Sequence, residues 1–302
     1  MNIVQWLLAG DISIQYGVYK YLFPQDSTIL AQYQKRISQE GYGARFLACQ
    51  NKTGHWGLYY YQPKWTCTHY TLLDLKNLEI SRNETACCKM VKQMFQDCQK
   101  EEGSLNLSKY DHPSDLAIDG MALNYSAYFD GCEENIHRLI DSILARQEPT
   151  GQFDLAGSRG VYTPMVTICV LEGIGECLLR RPSYRTEDLL NAEEKAINYL
   201  IEQRFFMNST DKKITQLTYP SRYRYDLLRM ASYLARRDIP YQPAFQPLFD
   251  WILSKQKFEG WWYLENILPG NIHFEMESKN QPSRLITLKA LHVLHHYKVL
   301  TL

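Results

Sequence analysis

The sequence lacks several features that would each assign it to a broad class. It has no run of 18 apolar residues, so it predicts no transmembrane helix. Its 33 basic residues are balanced by 33 acidic ones, and the positive excess that a general nucleic-acid binder needs is missing. The N-terminus has no basic segment before its short apolar stretch, so we expect no signal peptide and a cytoplasmic location. The alternating pattern typical of half-buried β-strands is almost absent.

The pattern Gln-x-x-x-Gly occurs four times. The copies are Gln50/Gly54, Gln99/Gly103, Gln147/Gly151 and Gln256/Gly260. The first three glutamines are 49 and 48 residues apart, and the gap to the fourth is about two periods. A period of this size predicts an array of supersecondary units, each too small to bury its own apolar face. Because the period runs through the chain, we predict a single domain over residues 1–302.

Two kinds of helix alternate along this repeat. Before each motif lies an amphipathic helix, with apolar residues at the spacing of a single stripe. After each glycine comes a loop and then a helix that is apolar around most of its circumference, as buried helices are. Buried helices are predicted near residues 11–22, 65–79, 114–129, 163–179, 221–236 and 283–297. We therefore predict an all-α fold, an α/α toroid of about six inner and six outer helices. The alternative is an open solenoid of helical hairpins.

Several inner helices are preceded by a Pro-Ser pair. Pro113-Ser114, Pro220-Ser221 and Pro282-Ser283 stand before three of the predicted helices. Serine is a favoured N-cap residue, so each serine is predicted to cap the helix that follows.

Three of the four motifs continue to an aromatic residue two positions after the glycine: Trp56, Phe153 and Trp262. The form Gln-x-x-x-Gly-x-Trp resembles the repeat of squalene and oxidosqualene cyclases, and related repeats occur in protein prenyltransferase β subunits. The stretches 54–73 and 222–229 are similar to uncharacterised bacterial prenyltransferase-like proteins. This resemblance implies a toroid with a central apolar cavity for an isoprenoid. It also implies a structural role for the motif, because in those families its glutamine and tryptophan tie neighbouring helices together.

The catalytic signature of these cyclases is not present. Squalene-type cyclases protonate a double bond with an Asp-x-Asp-Asp motif, and this sequence has none. The nearest cluster contains Asp115 and Asp119, whose spacing of four places both carboxylates on one helix face. A catalytic acid there is one interpretation. A helix-capping, solvated acidic turn is the other.

No metal site and no cofactor are predicted. Asp130 and Cys132 resemble the first two zinc ligands of protein prenyltransferases, but no histidine stands near the next helix entrance. Zinc requires three or four converging ligands. His292, His295 and His296 share a helix face at a spacing that could chelate a metal, but polar residues in a last helical turn are commoner for solvation and dipole reasons.

The beginnings of the inner helices are the expected mouth of a toroid, and polar residues there are candidate site residues. The predicted catalytic residues are His69, Asp115, Asp119 and Asp226. The predicted substrate-binding residues are Asp11, Trp65, Tyr162, Arg222, Tyr223 and Arg284. His69 is distinctive because an aliphatic residue is expected at its position, although a structural histidine is the alternative. Arg222, Arg224 and Arg284 could clamp a diphosphate or carboxylate, or form salt bridges with Asp226, Glu275 or Glu277.

The sequence leaves three functions open. The first is an enzyme of terpene-cyclase or prenyltransferase type that acts on an isoprenoid or similar hydrophobic small molecule. The second is a non-catalytic relative that binds a lipid or a protein or peptide partner, since the family's catalytic motifs are missing. The third is a carbohydrate-active α/α barrel, which would need two carboxylates facing each other across a cleft.

Overall fold

The computed structural model describes residues 2–155, 160–181 and 183–300. Within these ranges the chain is helical and has no β-strand, with 55% of the structure in helices. The α-helices are α1 (Ile3–Leu8), α2 (Ile12–Gly17), α3 (Ser27–Ile37), α4 (Gly41–Ala48), α5 (Thr68–Asn77), α6 (Thr85–Cys98), α7 (Leu116–Tyr128), α8 (Glu133–Leu144), α9 (Thr163–Arg180), α10 (Thr186–Glu202), α11 (Leu227–Arg236), α12 (Gln246–Ser254) and α13 (Arg284–His296). A π-helical turn, Val18–Leu22, extends α2. The all-α prediction is confirmed.

The chain divides into two compact units. Unit 1 comprises Met1–Cys49, Asn77–Ser81 and Met207–Leu302, and unit 2 comprises Gln50–Lys76 and Arg82–Phe206. In unit 1, α11 packs against α13, and α2 packs against α3. In unit 2, α7 packs along α9, and α8 and α10 lie against these two helices. The prediction of one domain stays a prediction, and each unit is described by itself below.

All six predicted inner helices are present. They are α2 with its π-helical turn, α5, α7, α9, α11 and α13. In α7 every residue except Ile118 is buried, whereas the preceding outer helix α6 buries only one face. One boundary differs from the prediction, because α11 begins at Leu227 and not near residue 221. The alternation of buried and amphipathic helices is consistent with the predicted α/α toroid.

The predicted serine caps are correct at one position. Ser283 caps α13, with its Oγ accepting a hydrogen bond from the backbone N of Ile286 at 2.9 Å. At α7 the cap is Asp115 and not Ser114, and at α11 it is Asp226 and not Ser221. An aspartate accepts the orphan N–H groups of the first turn as well as a serine does, and its charge suits the helix dipole. The nearest acidic residue therefore replaces serine at both sites.

Each Gln-x-x-x-Gly motif closes on itself through a hydrogen bond from the glutamine side chain to the glycine carbonyl. The Nε2–O distances are 2.7 Å at Gln50, 3.0 Å at Gln99, 2.8 Å at Gln147 and 2.7 Å at Gln256. All four glycines have φ between +90° and +99°. Only glycine adopts this backbone without strain. A β-carbon on Gly151 would in addition lie 2.5 Å from the carbonyl oxygen of Lys195.

A threonine of the following inner helix clamps the chain two residues after three of the glycines. Its hydroxyl accepts a hydrogen bond from the backbone N of the aromatic residue and donates to the carbonyl of the same residue. The pairs are Thr68 with Trp56, Thr167 with Phe153 and Thr287 with Trp262, at N–Oγ1 distances of 3.2, 3.1 and 3.0 Å. We call this contact the threonine clamp. It fixes each loop to its inner helix and buries the aromatic ring fully.

Candidate functional site

Unit 1 contains a pocket of about 320 Å³ beside the long connection between Trp262 and α13. In the other three repeats, 14 to 16 residues separate the motif glycine from the clamping position, but here the separation is 27 residues, from Gly260 to Thr287. The extra chain forms one wall of the pocket. The lining residues are Phe46, Tyr219, Pro220, Arg222, Ile267, Leu268, Pro269, Gly270, Ile272, His273, Phe274, Glu275, Met276 and Glu277.

Hydrogen bonds hold the C-terminal end of this wall in place. One carboxylate oxygen of Glu277 accepts from the backbone N of Arg284 at 2.8 Å and from that of Leu285 at 3.1 Å, at the start of α13. Its other oxygen accepts from the hydroxyl of Ser283. Burial raises the pKa of Glu277, although these donors oppose the shift. The Tyr42 hydroxyl donates to the carbonyl of Met276 at 2.6 Å, and burial, with the nearby Glu277 carboxylate, raises the pKa of Tyr42 to about 12.

The pocket combines apolar walls with a few charged groups. Phe46 packs against Phe274 with ring centroids 4.6 Å apart, and it also makes a T-shaped contact with the ring of His273 at 5.8 Å. The guanidinium of Arg45 lies 3.8 Å from the centre of the Phe274 ring. Arg222 is only 4% exposed and has φ +49°, a left-handed backbone that is costly for a residue other than glycine. Arg222 therefore brings both a strained backbone and a buried positive charge to the pocket wall.

Asp226, a predicted catalytic residue, stands four residues after Arg222 in the sequence. Its Oδ1 caps α11 by accepting from the backbone N of Arg229 at 2.8 Å. Its Oδ2 is buried and, in the part of the chain that the structure describes, has no hydrogen-bond partner. Burial raises the pKa of Asp226 to about 6, although Arg229 and Lys289 oppose the shift. The Lys289 ammonium also lies 5.2 Å from the ring of Tyr219, which lines the pocket.

His69 lies in unit 2, buried in the first turn of α5. Its Nδ1 is 3.2 Å from the hydroxyl of Tyr125, which donates to the sulfur of Met94 at 2.9 Å. Rings of Tyr61 and Tyr70 also pack around the imidazole. Its Nε2 has no hydrogen-bond partner among the described residues. Burial lowers the pKa of His69 to about 3, so the ring is neutral near pH 7.

Asp115 and Asp119 do lie on one helix face, but they do different things. Asp115 is half-buried and caps α7 through the backbone N of Ala117 at 2.9 Å. Asp119 is fully buried; its Oδ2 pairs with Arg146 at 2.6 Å and its Oδ1 accepts from the backbone N of Leu105. Burial raises the pKa of Asp119, while Arg146 and Leu105 oppose the shift. The capping interpretation holds for Asp115, and catalytic roles for both residues stay predictions.

The predicted substrate-binding residues are divided between the units. In unit 1, Arg222 lines the pocket and Tyr223 follows it, while Arg284 donates from its Nε to the carbonyl of Trp6 at 2.9 Å. Asp11 caps α2 and its Oδ2 accepts from the backbone N of Tyr42 at 2.7 Å, so it holds the start of α4, the helix that carries the lining residue Phe46.

In unit 2, Trp65 is buried against Tyr70, with ring centroids 4.9 Å apart. Tyr162 is 48% exposed at the start of α9. Neither residue is part of the pocket in unit 1.

Most of the pocket wall was not predicted from the sequence. Phe46, Tyr219 and His273 were not among the candidate residues, and Glu277 was named only as a possible salt-bridge partner of an arginine. In the structure, the Glu277 carboxylate accepts a hydrogen bond from the backbone N of Arg284. One signal was available, namely the unusually long interval between Trp262 and the Pro282-Ser283 pair. Long loops in compact proteins often carry function.

A search for metal-binding groups among the described residues finds no cluster of three or more His, Cys, Asp or Glu side chains that could hold an ion. In the same part of the chain, no helix is both long and apolar enough to cross a lipid bilayer. The predicted absence of a cofactor and the cytoplasmic location stay predictions.

The chain is similar to a solved structure of a variant of the type II terpene cyclase MstE from Scytonema, in complex with its product merosterolic acid A. The two share 12% sequence identity, with 88% of this chain and 96% of that chain covered, at a TM-score of 0.33. No protein-family model and no curated protein matches the sequence. At this identity and TM-score, the likeness carries no argument about function.

Proposed function

We propose that the protein binds an isoprenoid or a similarly apolar small molecule in the pocket of unit 1. The pocket itself, about 320 Å³ with mainly apolar walls and a few charged groups, is the observation that carries this proposal. Pockets for small molecules have this character and begin at about 300 Å³. The aromatic contacts of Phe46 and Phe274, with Arg45 over the latter, hold the wall in a fixed shape. A preformed wall lowers the entropic cost of binding.

The same pocket argues against the carbohydrate-active alternative. Glycoside hydrolysis needs two carboxylates that can reach the sugar. Glu275 and Glu277 are the two acidic residues of the lining. Both oxygens of Glu277 are occupied by Ser283 and by the first backbone N–H groups of α13. Glu277 therefore holds the pocket wall to the start of α13. Among the residues that the structure describes, the lining has no second carboxylate that could form a facing catalytic pair with Glu275.

The test is calorimetric titration with farnesol, with native mass spectrometry of the purified protein to detect a retained ligand. Leu268 lines the pocket and is 7% exposed, so Leu268→Trp should fill the space and reduce affinity at least tenfold. Leu190, 46% exposed on α10 in unit 2, gives a matched control, and Leu190→Trp should bind as the wild type does. Equal binding by all three proteins, or no binding, would refute the proposal.

A second candidate is acid catalysis on the same ligand. Asp226 favours it, because its buried Oδ2 has no hydrogen-bond partner among the described residues and its pKa of about 6 leaves a fraction of the carboxyls protonated near neutral pH. Its proton would pass from Oδ2 to an alkene carbon, and the Asp226 carboxylate would take a proton back, either from a carbon next to the carbocation or from a water molecule that the carbocation has captured. Asp226→Asn keeps the cap oxygen but cannot donate an acidic proton. Product analysis with farnesol or squalene should show turnover in the wild type and none in this variant. Turnover that survives the substitution would exclude Asp226 as the acid.

A further inference from the structure

The volume of the pocket in unit 1 limits the size of the molecule that it can enclose. The pocket measures about 320 Å³. An apolar cavity of about 150 Å³ in a protein core accommodates benzene, so each carbon of a bound ligand takes up about 25 Å³. By this measure the pocket encloses about 13 non-hydrogen atoms. A ten-carbon chain with a polar end group fits inside it, and a fifteen-carbon chain does not.

One part of the pocket lining is buried and cannot give way to a longer chain. Phe46, Tyr219 and Leu268 line the pocket and are buried in the protein. The ring of Phe46 packs against that of Phe274, and the Lys289 ammonium lies 5.2 Å from the ring of Tyr219. Interiors are close-packed, and forcing extra methylene groups into them is destabilising. We therefore take the volume of the pocket as a fixed limit.

Another part of the lining is open to solvent. Ile267, Ile272 and Glu275 line the pocket and are exposed. A chain longer than the pocket would leave it past these residues and end in water. Affinity for an apolar chain comes from removing its surface from water, so the part that stays outside contributes little.

We propose that the pocket takes an isoprenoid of two isoprene units, a ten-carbon chain with a polar end group. This inference rests on the proposed function and names the size class of the ligand. A five-carbon chain would leave about half of the volume unfilled, by the same measure of about 25 Å³ for each carbon. A fifteen-carbon chain would still bind, but its third isoprene unit would lie outside the pocket.

The experiment is a calorimetric titration with prenol, geraniol and farnesol. These alcohols share one end group and grow by one isoprene unit at each step. Burial of one methylene group raises affinity about fourfold. Geraniol should therefore bind at least about a hundredfold more tightly than prenol, whereas farnesol should bind within about threefold of geraniol.

A change in the size of the pocket should move this limit. Leu268→Ala removes three carbons from the lining and adds about 75 Å³ by the same measure. In this variant farnesol should bind at least about tenfold more tightly than geraniol, because its third isoprene unit is now partly enclosed. Leu190, exposed on α10 in unit 2, provides the matched control, and Leu190→Ala should keep the wild-type ratio.

The outcomes separate the size class from the proposed function. A gain in affinity that ends at geraniol in the wild type, and extends to farnesol in Leu268→Ala, supports the ten-carbon ligand. Equal affinity for prenol and geraniol, a gain that continues to farnesol in the wild type, or a limit that Leu268→Ala leaves unchanged overturns the size class and leaves the proposed function intact. If Leu268→Ala does not fold, the wild-type series decides alone. Failure of all three alcohols to bind overturns the proposed function itself.

Discussion

The Oδ1 of Asp119 accepts a hydrogen bond from the backbone N of Leu105 at 2.9 Å, and Leu105 lies two residues after the motif glycine Gly103. This is the place that the threonine clamp occupies in the other three repeats. Asp119 therefore takes the place of the clamping threonine in its repeat, and a carboxylate oxygen instead of a hydroxyl accepts the hydrogen bond. Its second oxygen is left over, and it pairs with Arg146.

Substitutions at Asp119 should separate these two contacts. Asp119→Leu removes both the clamp and the partner of Arg146, and we expect the free energy of unfolding to fall by about 3 kcal/mol or more. Asp119→Thr restores the clamp found in the other repeats and should lose about half as much. Urea unfolding measures both. Ligand binding and any turnover should survive Asp119→Thr, and loss of turnover with binding retained in a folded Thr variant would instead support the predicted catalytic role.

The motif glutamines should differ in their contribution to stability. The Nε2 of Gln147 donates to the carbonyl of Gly151 and also, at 2.9 Å, to that of Ala192 in α10. Gln50 donates to the carbonyl of Gly54. Each hydrogen bond contributes about 1 kcal/mol, so Gln147→Ala should lower the free energy of unfolding about twice as much as Gln50→Ala. Equal losses would mean that the bond to α10 contributes nothing.

The sequence was sufficient for the helices and insufficient for the clamp. The inner helices were predictable because their apolar residues are contiguous. The motif glutamine, in addition, marks the end of the outer helix that precedes each of them. The clamp was not, because the interval from the glycine to Thr68, Asp119, Thr167 or Thr287 varies between 14 and 27 residues. A contact at variable spacing leaves no fixed-period pattern, and an aspartate in place of threonine hides it further.

The candidate site was predictable only in part, for a similar reason. Arg222 and Asp226 were predicted because they are polar residues at the expected start of an inner helix, where a toroid has its mouth. The opposite wall, residues 267–277, is irregular chain without periodicity, so its position depends on tertiary contacts such as the bond from Tyr42 to Met276. Which oxygen of Asp226 remains unpaired depends on α11 beginning at Leu227, later than the apolar pattern indicated.

Glu79 should be important for the stability of unit 1. Its carboxylate is 8% exposed, lies 2.5 Å from Lys20 and 3.4 Å from Arg236, and accepts from the hydroxyl of Tyr21. Burial alone would raise the pKa of Glu79, but the two cations and the hydrogen bonds outweigh it and hold the pKa well below its ordinary value. Glu79→Gln removes the negative charge that faces both cations and should cost about 3 kcal/mol at pH 7.

The pH dependence of this difference follows from the direction of the shift. Because the folded-state pKa of Glu79 is depressed, its contribution is present above the unfolded pKa, about 4.5, and is lost as the pH falls below that value. The stability gap between the wild type and Glu79→Gln should therefore narrow from pH 5 to pH 3 in urea titrations. A gap that stays constant over that range would show that the ion pairs do not set the pKa.

His69 should make the protein sensitive to mild acid. His69 comes directly after the clamp residue Thr68. The residues at the same place in the other repeats are Gly120, Ile168 and Leu288, and none of these is ionisable. Burial lowers its pKa to about 3, below the unfolded value of about 6.5. The unfolded chain then binds the proton first, so stability is fully present above pH 6.5 and falls below it. Between pH 7.5 and pH 5 the loss is about 2 kcal/mol.

Urea unfolding at these two pH values tests the prediction. His69→Leu should lack this acid-dependent loss of stability, and His69→Gln, whose side chain is polar but not ionisable, should lack it too. If either variant keeps the full acid sensitivity of the wild type, the imidazole is not the group that is protonated on unfolding.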